Sequence, residues 1–421
     1  MFRAPQPRSR LYTTALAYGS SALSLLTGYH YDAKRSERLE RALEAEYPGS
    51  YAVAAPMARV AIYLVLRNTI KPGQKVILSP YTISDVVNMV LCAGGIPVFA
   101  DIEDGGTYNL SAANVKHLLE QESNVGAVLV THFYGLICDI EPILAECRSR
   151  GIPLIEDAAQ AFGARLNGKR AGTIGDAGVF SFGLLKNVTS FIGGAIVTPH
   201  KALAENVRRE LAGYPTFPKR ALVQKMAKGA AFDAATSPPA FELGVYWLFR
   251  HASLRGLKFF SNKLATDSSP VAYRNLPASY AYRMSGVQAD LVQMQLANVD
   301  EHTNERIRKA KMYAEGLRGL SDVVLPPLRT DGSHIYFYYP IQCRERENLV
   351  RYMTERLRDI QISHHRNCAE MACFAEYARD CPNAARAERC VIYLPTYPGY
   401  RENEVLKNIE TIRTFFQERT G

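Results

Sequence analysis

The sequence lacks the cysteine spacing that zinc sites and redox motifs use. None of its eight cysteines stands in a C-x-x-C pair, and Cys92, Cys138 and Cys147 fall in apolar segments. Reduced thiols in a cytoplasmic protein are therefore expected. Another group of cysteines lies near two histidines at irregular spacing that matches no zinc template: Cys368, Cys373, Cys381, Cys390, His364 and His365. We predict no metal site from this pattern.

Long runs of basic or of apolar residues are also missing. The lack of five or six adjacent basic residues disfavours nucleic-acid binding, and the lack of about 18 consecutive strongly apolar residues disfavours a spanning helix. The net charge of +9 nevertheless favours anionic partners such as phosphorylated metabolites. Arg3, Arg8 and Arg10 precede an uncharged stretch from Leu11 to Tyr29. Since Ser, Thr and Gly interrupt it, an N-terminal arm that packs on a partner subunit is favoured over a secretory signal.

The 421 residues are enough for two or three domains, and short β-rich runs alternate with helical patterns. The pattern predicts helices at 58–67, 84–93 and 111–121, with Asn109 or Ser111 as the cap of the last. It predicts strands at 75–78, 96–101, 125–131, 153–156, 178–181 and 195–198. This alternation is typical of a largely parallel sheet covered by helices.

Two segments place polar side chains at strand ends, where such sheets bind ligands. In the first, an apolar strand is followed by Glu156, Asp157 and Gln160. Taken alone, this first segment could be a strand-to-helix turn in which Asp157 caps the helix, because Asp is favoured at helix N-caps. In the second, a strand ends in Ser181 and Lys186 follows five residues later.

Together these segments resemble the pyridoxal-phosphate (PLP) dependent sugar aminotransferases of the DegT/DnrJ type. Weaker similarity continues over most of the chain, at 71–82, 97–101, 282–289 and 394–398. The resemblance implies an α/β, PLP-dependent type I fold with a mostly parallel central sheet flanked by helices and a smaller α+β C-terminal domain. It also implies a homodimer with the active site at the interface. We expect an N-terminal arm at 1–45, a large PLP-binding domain at 46–320 and a small domain at 321–421.

The resemblance also implies roles for individual residues. Lys186 would form the Schiff base with PLP and then move a proton as general acid and base. Asp157 would pair with the pyridine nitrogen and keep it protonated. Gln160 would lie near the 3-hydroxyl oxygen, and Ser181 would donate to the phosphate. Related dehydratases have His in place of the Lys, so the expected reaction moves an amino group from a donor such as glutamate to a keto sugar, most simply one linked to a nucleotide.

Four residues at three places depart from the family pattern. Met57 and Ala58 stand where a Gly-Thr pair usually offers N–H groups to the cofactor phosphate, and their backbone can still do so. Ile83 stands where an aromatic ring commonly stacks on PLP. Ala281 replaces an Asn that reaches the phosphate from the other subunit, and Arg283 is retained and is expected to compensate.

Substrate contacts are predicted less directly. His132 and Tyr134 follow a predicted strand, although a His in that place is more often a satisfied structural donor. The side chain of Arg59 could equally well face solvent or add charge at the ligand site. His364 matches only loosely a histidine that approaches the sugar in relatives. These four residues are the candidate substrate ligands.

The segment 215–272 reads as an insertion rich in aromatic and basic residues. It suits a lid, additional dimer surface or an interfacial helix pair at 236–265, and packing is favoured over peripheral membrane contact. Two other functions stay open. One is a PLP enzyme of this fold that acts on a non-sugar ketone or a carrier-bound substrate, and the other is a catalytically silent binding or membrane-associated homologue.

Overall fold

The computed structural model describes residues 4–11, 13–256 and 270–420. Its strands are β1 (Tyr51–Ala55), β2 (Lys75–Leu78), β3 (Tyr81–Thr82), β4 (Ile96–Phe99), β5 (Val125–Thr131), β6 (Leu154–Asp157), β7 (Arg165–Leu166), β8 (Lys169–Arg170), β9 (Ala177–Ser181), β10 (Gly194–Thr198), β11 (Val323–Val324), β12 (Tyr339–Cys343), β13 (Gln361–Ile362), β14 (Arg366–Asn367) and β15 (Val391–Leu394). The main sheet has seven strands in the order β1-β10-β9-β6-β5-β2-β4. Only β10 runs against the others in this sheet.

Helices cover both faces of this sheet. They are α1 (Ala15–Leu26), α2 (Ala33–Glu46), α3 (Ala58–Thr69), α4 (Ser84–Cys92), α5 (Ala112–Gln121), α6 (Ile140–Ser149), α7 (Lys201–Ala212), α8 (Lys219–Ala235), α9 (Pro238–Ala240), α10 (Tyr246–Leu254), α11 (Gly286–Gln293), α12 (Val299–Gly316), α13 (Arg346–Glu355), α14 (Pro382–Cys390) and α15 (Glu402–Thr420). Alternate residues of β5 pack on opposite faces of the sheet. On one face, Ala127 and Leu129 pack with α3, α4 and α7. Val128 and Val130 pack with α2, α5 and α6. Such double burial explains why the strand reads as a continuous apolar run.

A second, antiparallel sheet lies toward the C-terminus in the order β11-β12-β15-β13. Its core includes Ile341, Ile392 and Ile412 and is separate from the two cores of the main sheet. The predicted α/β architecture with a small C-terminal domain is confirmed. The domain boundaries proposed from the sequence stay a prediction.

The segment from Ser285 to Leu317 is mostly helical but is interrupted once. It forms α11 and α12, with a single 3-10 turn at Leu296–Asn298 between them. Gln295 explains the break, because its side chain donates to Leu291 O at 2.5 Å and to Thr189 O at 2.7 Å and accepts from Thr189 N at 3.0 Å. The side chain thereby fixes the loop that follows Lys186.

The N-terminal region holds more regular structure than an arm. It contains α1 and α2, and β1 forms the edge of the main sheet beside β10. The segment 215–272 holds α8, α9 and α10. Positions 257–265 of the helix pair predicted at 236–265 lie outside the described residues. Within the described ranges, no helix has the length and apolar character needed to cross a membrane.

Candidate active site

Parallel pairing brings the candidate residues to one edge of the main sheet. Asp157, the last residue of β6, pairs with Thr131 of β5 and Val179 of β9. The backbone N–H of His132 donates to Asp157 O at 3.1 Å. Since all three strands run in the same direction, their carboxyl ends open onto a common site, as the sequence predicted.

Asp157 is a buried carboxylate that points into this site. It is 5% exposed, and its Oδ1 accepts a hydrogen bond from Ala159 N at 3.0 Å. Burial raises the pKa of Asp157, while the hydrogen bond from Ala159 and the positive charge of Lys186 act in the opposite direction. A buried carboxylate with an open side is suited to hold a positively charged partner.

Lys186 supplies an amine to the same site. It lies in the loop after β9, where its N–H donates to Gly183 O at 3.1 Å, and its Nζ stands 5.2 Å from the centre of the Phe337 ring. Desolvation lowers the pKa of Lys186 to about 8, and the negative charge of Asp157 opposes this shift. An amine with this pKa has a substantial neutral fraction near neutral pH, which a nucleophile requires.

The coupling between these two charges makes a testable prediction for Asp157→Asn. Without the carboxylate, the ammonium form of Lys186 loses its favourable partner, so the pKa of the amine should fall below about 8. The measurement is the pH dependence of borohydride-trapped attachment of PLP to Lys186 in the apoprotein, followed by peptide mass spectrometry. Asp104→Asn is the control, because Asp104 is exposed on the surface. An unchanged or higher midpoint in Asp157→Asn would contradict the electrostatic pairing.

The amino end of α3 lies against the ends of β9 and β10. Ser181 pairs with Gly194 in these strands. A Cβ at Gly194 would stand only 2.7 Å from the amide nitrogen of Ala58, so glycine is required for this approach. Met57 is the N-cap residue and makes no side-chain hydrogen bond to the first turn. The N–H groups of that turn and the Ser181 hydroxyl therefore form a cradle for an anion at the positive end of the helix.

Gln160 is held by the protein at both ends of its amide. Its Oε1 accepts from Tyr134 N at 3.0 Å, and its Nε2 lies 3.3 Å from Nε2 of His365. The amide must donate in the second contact, so the other nitrogen of His365 carries the proton that it shares with Tyr393 OH at 2.8 Å. Burial lowers the pKa of His365 well below its ordinary value, with the charges of His364 and Lys186 adding to the shift, and so the ring is neutral.

A set of buried hydroxyl groups extends from His365 and joins the two domains. Tyr81 OH lies 2.8 Å from both Tyr134 OH and Ser363 Oγ, and Ser363 Oγ lies 2.7 Å from Tyr393 OH. Tyr134 OH also lies 3.2 Å from Tyr393 OH. The phenol of Tyr134, predicted as a substrate ligand, is thus engaged with the protein in this structure.

His132 is likewise engaged by the protein, as the structural alternative supposed. Its Nδ1 accepts from Cys138 N at 3.1 Å, and its Nε2 donates to Glu156 Oε2 at 2.9 Å. The ring is completely buried. A role for His132 as a substrate ligand stays a prediction, whereas its hydrogen bonds hold β5 and β6 together.

The remaining candidates are Arg59, Ile83 and Arg283, and each has contacts of a different kind. Arg59 forms a salt bridge with Asp85 and donates to Tyr280 OH at 2.8 Å. Ile83 is partly buried at the N-cap of α4. Arg283 is exposed, donates to Thr216 Oγ1 at 3.1 Å, and lines a surface cleft of about 500 Å³ with α2 and α7. The structure therefore does not bring Arg283 to the Asp157–Lys186 pair of its own chain, and its predicted contact would have to be made in a partner subunit.

Several residues of the site escaped sequence reasoning. Phe337 faces the Lys186 amine, and Ser363 and Tyr393 complete the hydroxyl set. Each comes from a segment more than a hundred positions beyond Lys186, and none stands in a motif with Asp157 or Lys186. The pair His364-His365 was a signal for this region, but the structure places His365 rather than His364 on Gln160.

Comparisons with known proteins agree with this geometry. The sequence profile described as the DegT/DnrJ/EryC1/StrS aminotransferase family matches residues 24–413. GDP-perosamine synthase of Caulobacter vibrioides is 29% identical over 369 residues, which cover 86% of this chain and 85% of the relative. The UDP-N-acetyl-3-dehydro-alpha-D-glucosamine 3-aminotransferase of Acidithiobacillus ferrooxidans is 28% identical over 380 residues, which cover 89% and 87%. An aminotransferase structure from Psychrobacter cryohalolentis shares the fold, with a TM-score of 0.76 at 19% identity over 100% of both chains.

Proposed function

The chain belongs to the DegT/DnrJ/EryC1/StrS aminotransferase family, and from this membership we propose that it transfers an amino group from glutamate to a nucleotide-linked keto sugar with PLP as cofactor. The observation that carries the proposal is the pair formed by Asp157, which is buried at the end of β6, and Lys186, which is partly buried in the loop after β9. In the pair, a carboxylate and an amine of lowered pKa act on each other across one site.

The residues present fit PLP. The α3 cradle with Ser181 suits a phosphate, and the approach of α3 at Gly194 admits no side chain. Asp157 suits a protonated pyridine nitrogen, because a buried carboxylate favours a positive partner. When bound, PLP supplies the electron sink that stabilises negative charge on the substrate carbon.

The chain's own groups then have separate tasks. Lys186 would anchor the cofactor and would move a proton to and from the substrate carbon. The pKa of about 8 for Lys186 suits both tasks, since the amine can then gain or lose its proton near neutral pH. Asp157 would hold the protonated pyridine nitrogen of PLP, and Gln160, which is oriented by Tyr134 and His365, would donate its remaining amide hydrogen to the cofactor's 3-hydroxyl oxygen.

The acceptor is proposed from the relatives and from charge. The names of two relatives specify nucleotide sugars, GDP-perosamine and a UDP-linked dehydroglucosamine. The net charge of +9 favours such anionic substrates. We also expect a cytoplasmic homodimer in which Arg283 contributes to the partner's phosphate site, with packing rather than membrane contact as the role of 236–265.

The test offers glutamate with a panel of UDP-, GDP- and TDP-linked keto sugars to the PLP-loaded enzyme and follows products by mass spectrometry. The proposal predicts an amino sugar nucleotide and an equal amount of 2-oxoglutarate. If glutamate converts the cofactor spectrum but no sugar is aminated, the acceptor is of another class, such as a non-sugar ketone. If glutamate has no effect on the spectrum of the loaded protein, the aminotransferase proposal is wrong.

A further inference from the structure

A small basic cavity lies beside Lys186, between the N-terminal residues and the small domain. It measures about 20 Å³, which is room for one small group. Its lining includes three arginines, and no carboxylate side chain is among the residues that form it: Arg8, Ser9, Arg10, Leu185, Arg306, Phe337, Tyr338, Thr396 and Tyr397. A small space lined by this positive charge is suited to an anion.

Residues 4–11 are held firmly at this position. Pro7 O accepts from Tyr397 OH at 2.8 Å, and Arg8 N donates to Asp359 Oδ2 at 2.9 Å. The guanidinium of Arg8 also donates to Ile360 O at 2.6 Å, and its Nε lies 3.5 Å from Asp359 Oδ1, so its own charge is already paired. The segment lies before the span 24–413 that matches the family profile.

Arg10 differs from Arg8, because the structure gives it no comparable partner. Its Nε is buried and has no hydrogen-bond partner within the described ranges. The charge of Arg10 acts on Asp233, but the Asp233 carboxylate accepts its hydrogen bond from Tyr18 OH at 2.7 Å. A buried guanidinium donor without an acceptor is costly unless a ligand provides one.

Arg306 connects the cavity to the reactive amine. It is 3% exposed, and its Nη1 donates to Phe337 O at 2.9 Å. Its guanidinium carbon lies 5.8 Å from the centre of the Phe337 ring, and Lys186 Nζ lies 5.2 Å from the same centre. The Phe337 ring is therefore a common neighbour of Arg306, which lines the cavity, and of the amine of Lys186.

We propose that this cavity is the carboxylate site of the amino-acid donor, with Arg10 and Arg306 as its ligands. The inference rests on the proposed function for the identity of the donor. The small volume and the planar pairing geometry of guanidinium favour a carboxylate over a diphosphate. The sugar nucleotide would bind elsewhere in the site, and the N-terminal residues would contribute to donor selection.

The test measures binding of glutarate, a dicarboxylate without an amine, by calorimetry to the wild type, Arg10→Ala and Arg10→Lys. Loss of a charge-assisted pair should weaken glutarate binding by about 10- to 100-fold in Arg10→Ala. Arg10→Lys should recover part of it, because it keeps the charge. Arg318→Ala is the control, since Arg318 is exposed and lies outside the cavity. Equal glutarate binding by wild type and Arg10→Ala would overturn the proposal.

The reaction with glutamate provides a second measurement on the PLP-loaded enzyme. Arg10→Ala should raise the glutamate concentration for half-maximal conversion by about 10-fold or more and change the limiting rate little, because the pair acts on binding. Unchanged glutamate dependence would contradict the assignment while leaving the aminotransferase proposal intact. Conversely, a wild type that binds glutarate through Arg10 but never reacts with glutamate would disprove the proposed function and keep the anion site.

Discussion

Replacing Lys186 with alanine should lower the glutamate-dependent reaction by at least about 10⁴-fold, because one residue both anchors the cofactor and transfers the proton. The variant should also lose the visible absorbance band that borohydride removes from the PLP-loaded wild type. The site geometry supports this size of effect, since the amine shares the buried site with Asp157 and faces Phe337. Steady-state rates and absorbance spectra of the purified protein provide the measurement.

A matched lysine separates this effect from a general loss of positive charge. Lys169 is exposed in β8, so Lys169→Ala should retain the absorbance band and the rate of the wild type. Urea unfolding of Lys186→Ala should show that the protein is still folded. Wild-type activity in Lys186→Ala would mean that another amine performs the chemistry.

Replacing Glu156 with glutamine should cost about 3 kcal/mol or more of folding stability, although Glu156 is not assigned to catalysis. The carboxylate is completely buried and accepts four hydrogen bonds. Oε1 accepts from Ile174 N and Gly175 N at 2.7 Å each, and Oε2 accepts from Gly172 N at 2.7 Å and from His132 Nε2 at 2.9 Å. A glutamine has only one acceptor oxygen. Its NH₂ group would take the place of the other carboxylate oxygen, and the amide hydrogens would then face two hydrogen-bond donors of the protein.

The urea midpoint of Glu156→Gln tests this expectation against Glu347→Gln as the control, because Glu347 is largely exposed. The midpoint should fall clearly in the first variant and stay near the wild-type value in the second. A change of less than about 1 kcal/mol for Glu156→Gln would show that the hydrogen bonds to the loop at 172–175 are dispensable.

The central elements of the fold could be predicted because each has a local signal. The bounds of β2 and β5 agree with the prediction to the residue, and Ser111 caps α5 by accepting from Asn114 N. The edge strand β1 was missed, since its Ala-rich sequence has little β preference before its pairing with β10 supplies the stability. The break between α11 and α12 was also missed, because it depends on the tertiary contact of Gln295 with Thr189.

The candidate site likewise contains residues that the sequence could indicate and residues that it could not. Asp157 and Lys186 could be selected as candidates because such sheets bind ligands at the ends of their strands, whereas their roles came from the resemblance of the two segments to the family. The role of Arg59 could not be settled from the sequence, because its partners Asp85 and Tyr280 lie 26 and 221 positions away. The same limitation applies to the contact of His365 with Gln160, which joins residues 205 positions apart.

The most direct test of the account is to reduce the PLP-loaded protein with borohydride and to map the modified peptides by mass spectrometry. The account predicts one stoichiometric phosphopyridoxyl group, attached to Lys186, and much weaker retention of the cofactor in Asp157→Asn. A phosphopyridoxyl group on any other lysine, or none at all after loading, would contradict the assignment of Lys186 and Asp157 as the cofactor site.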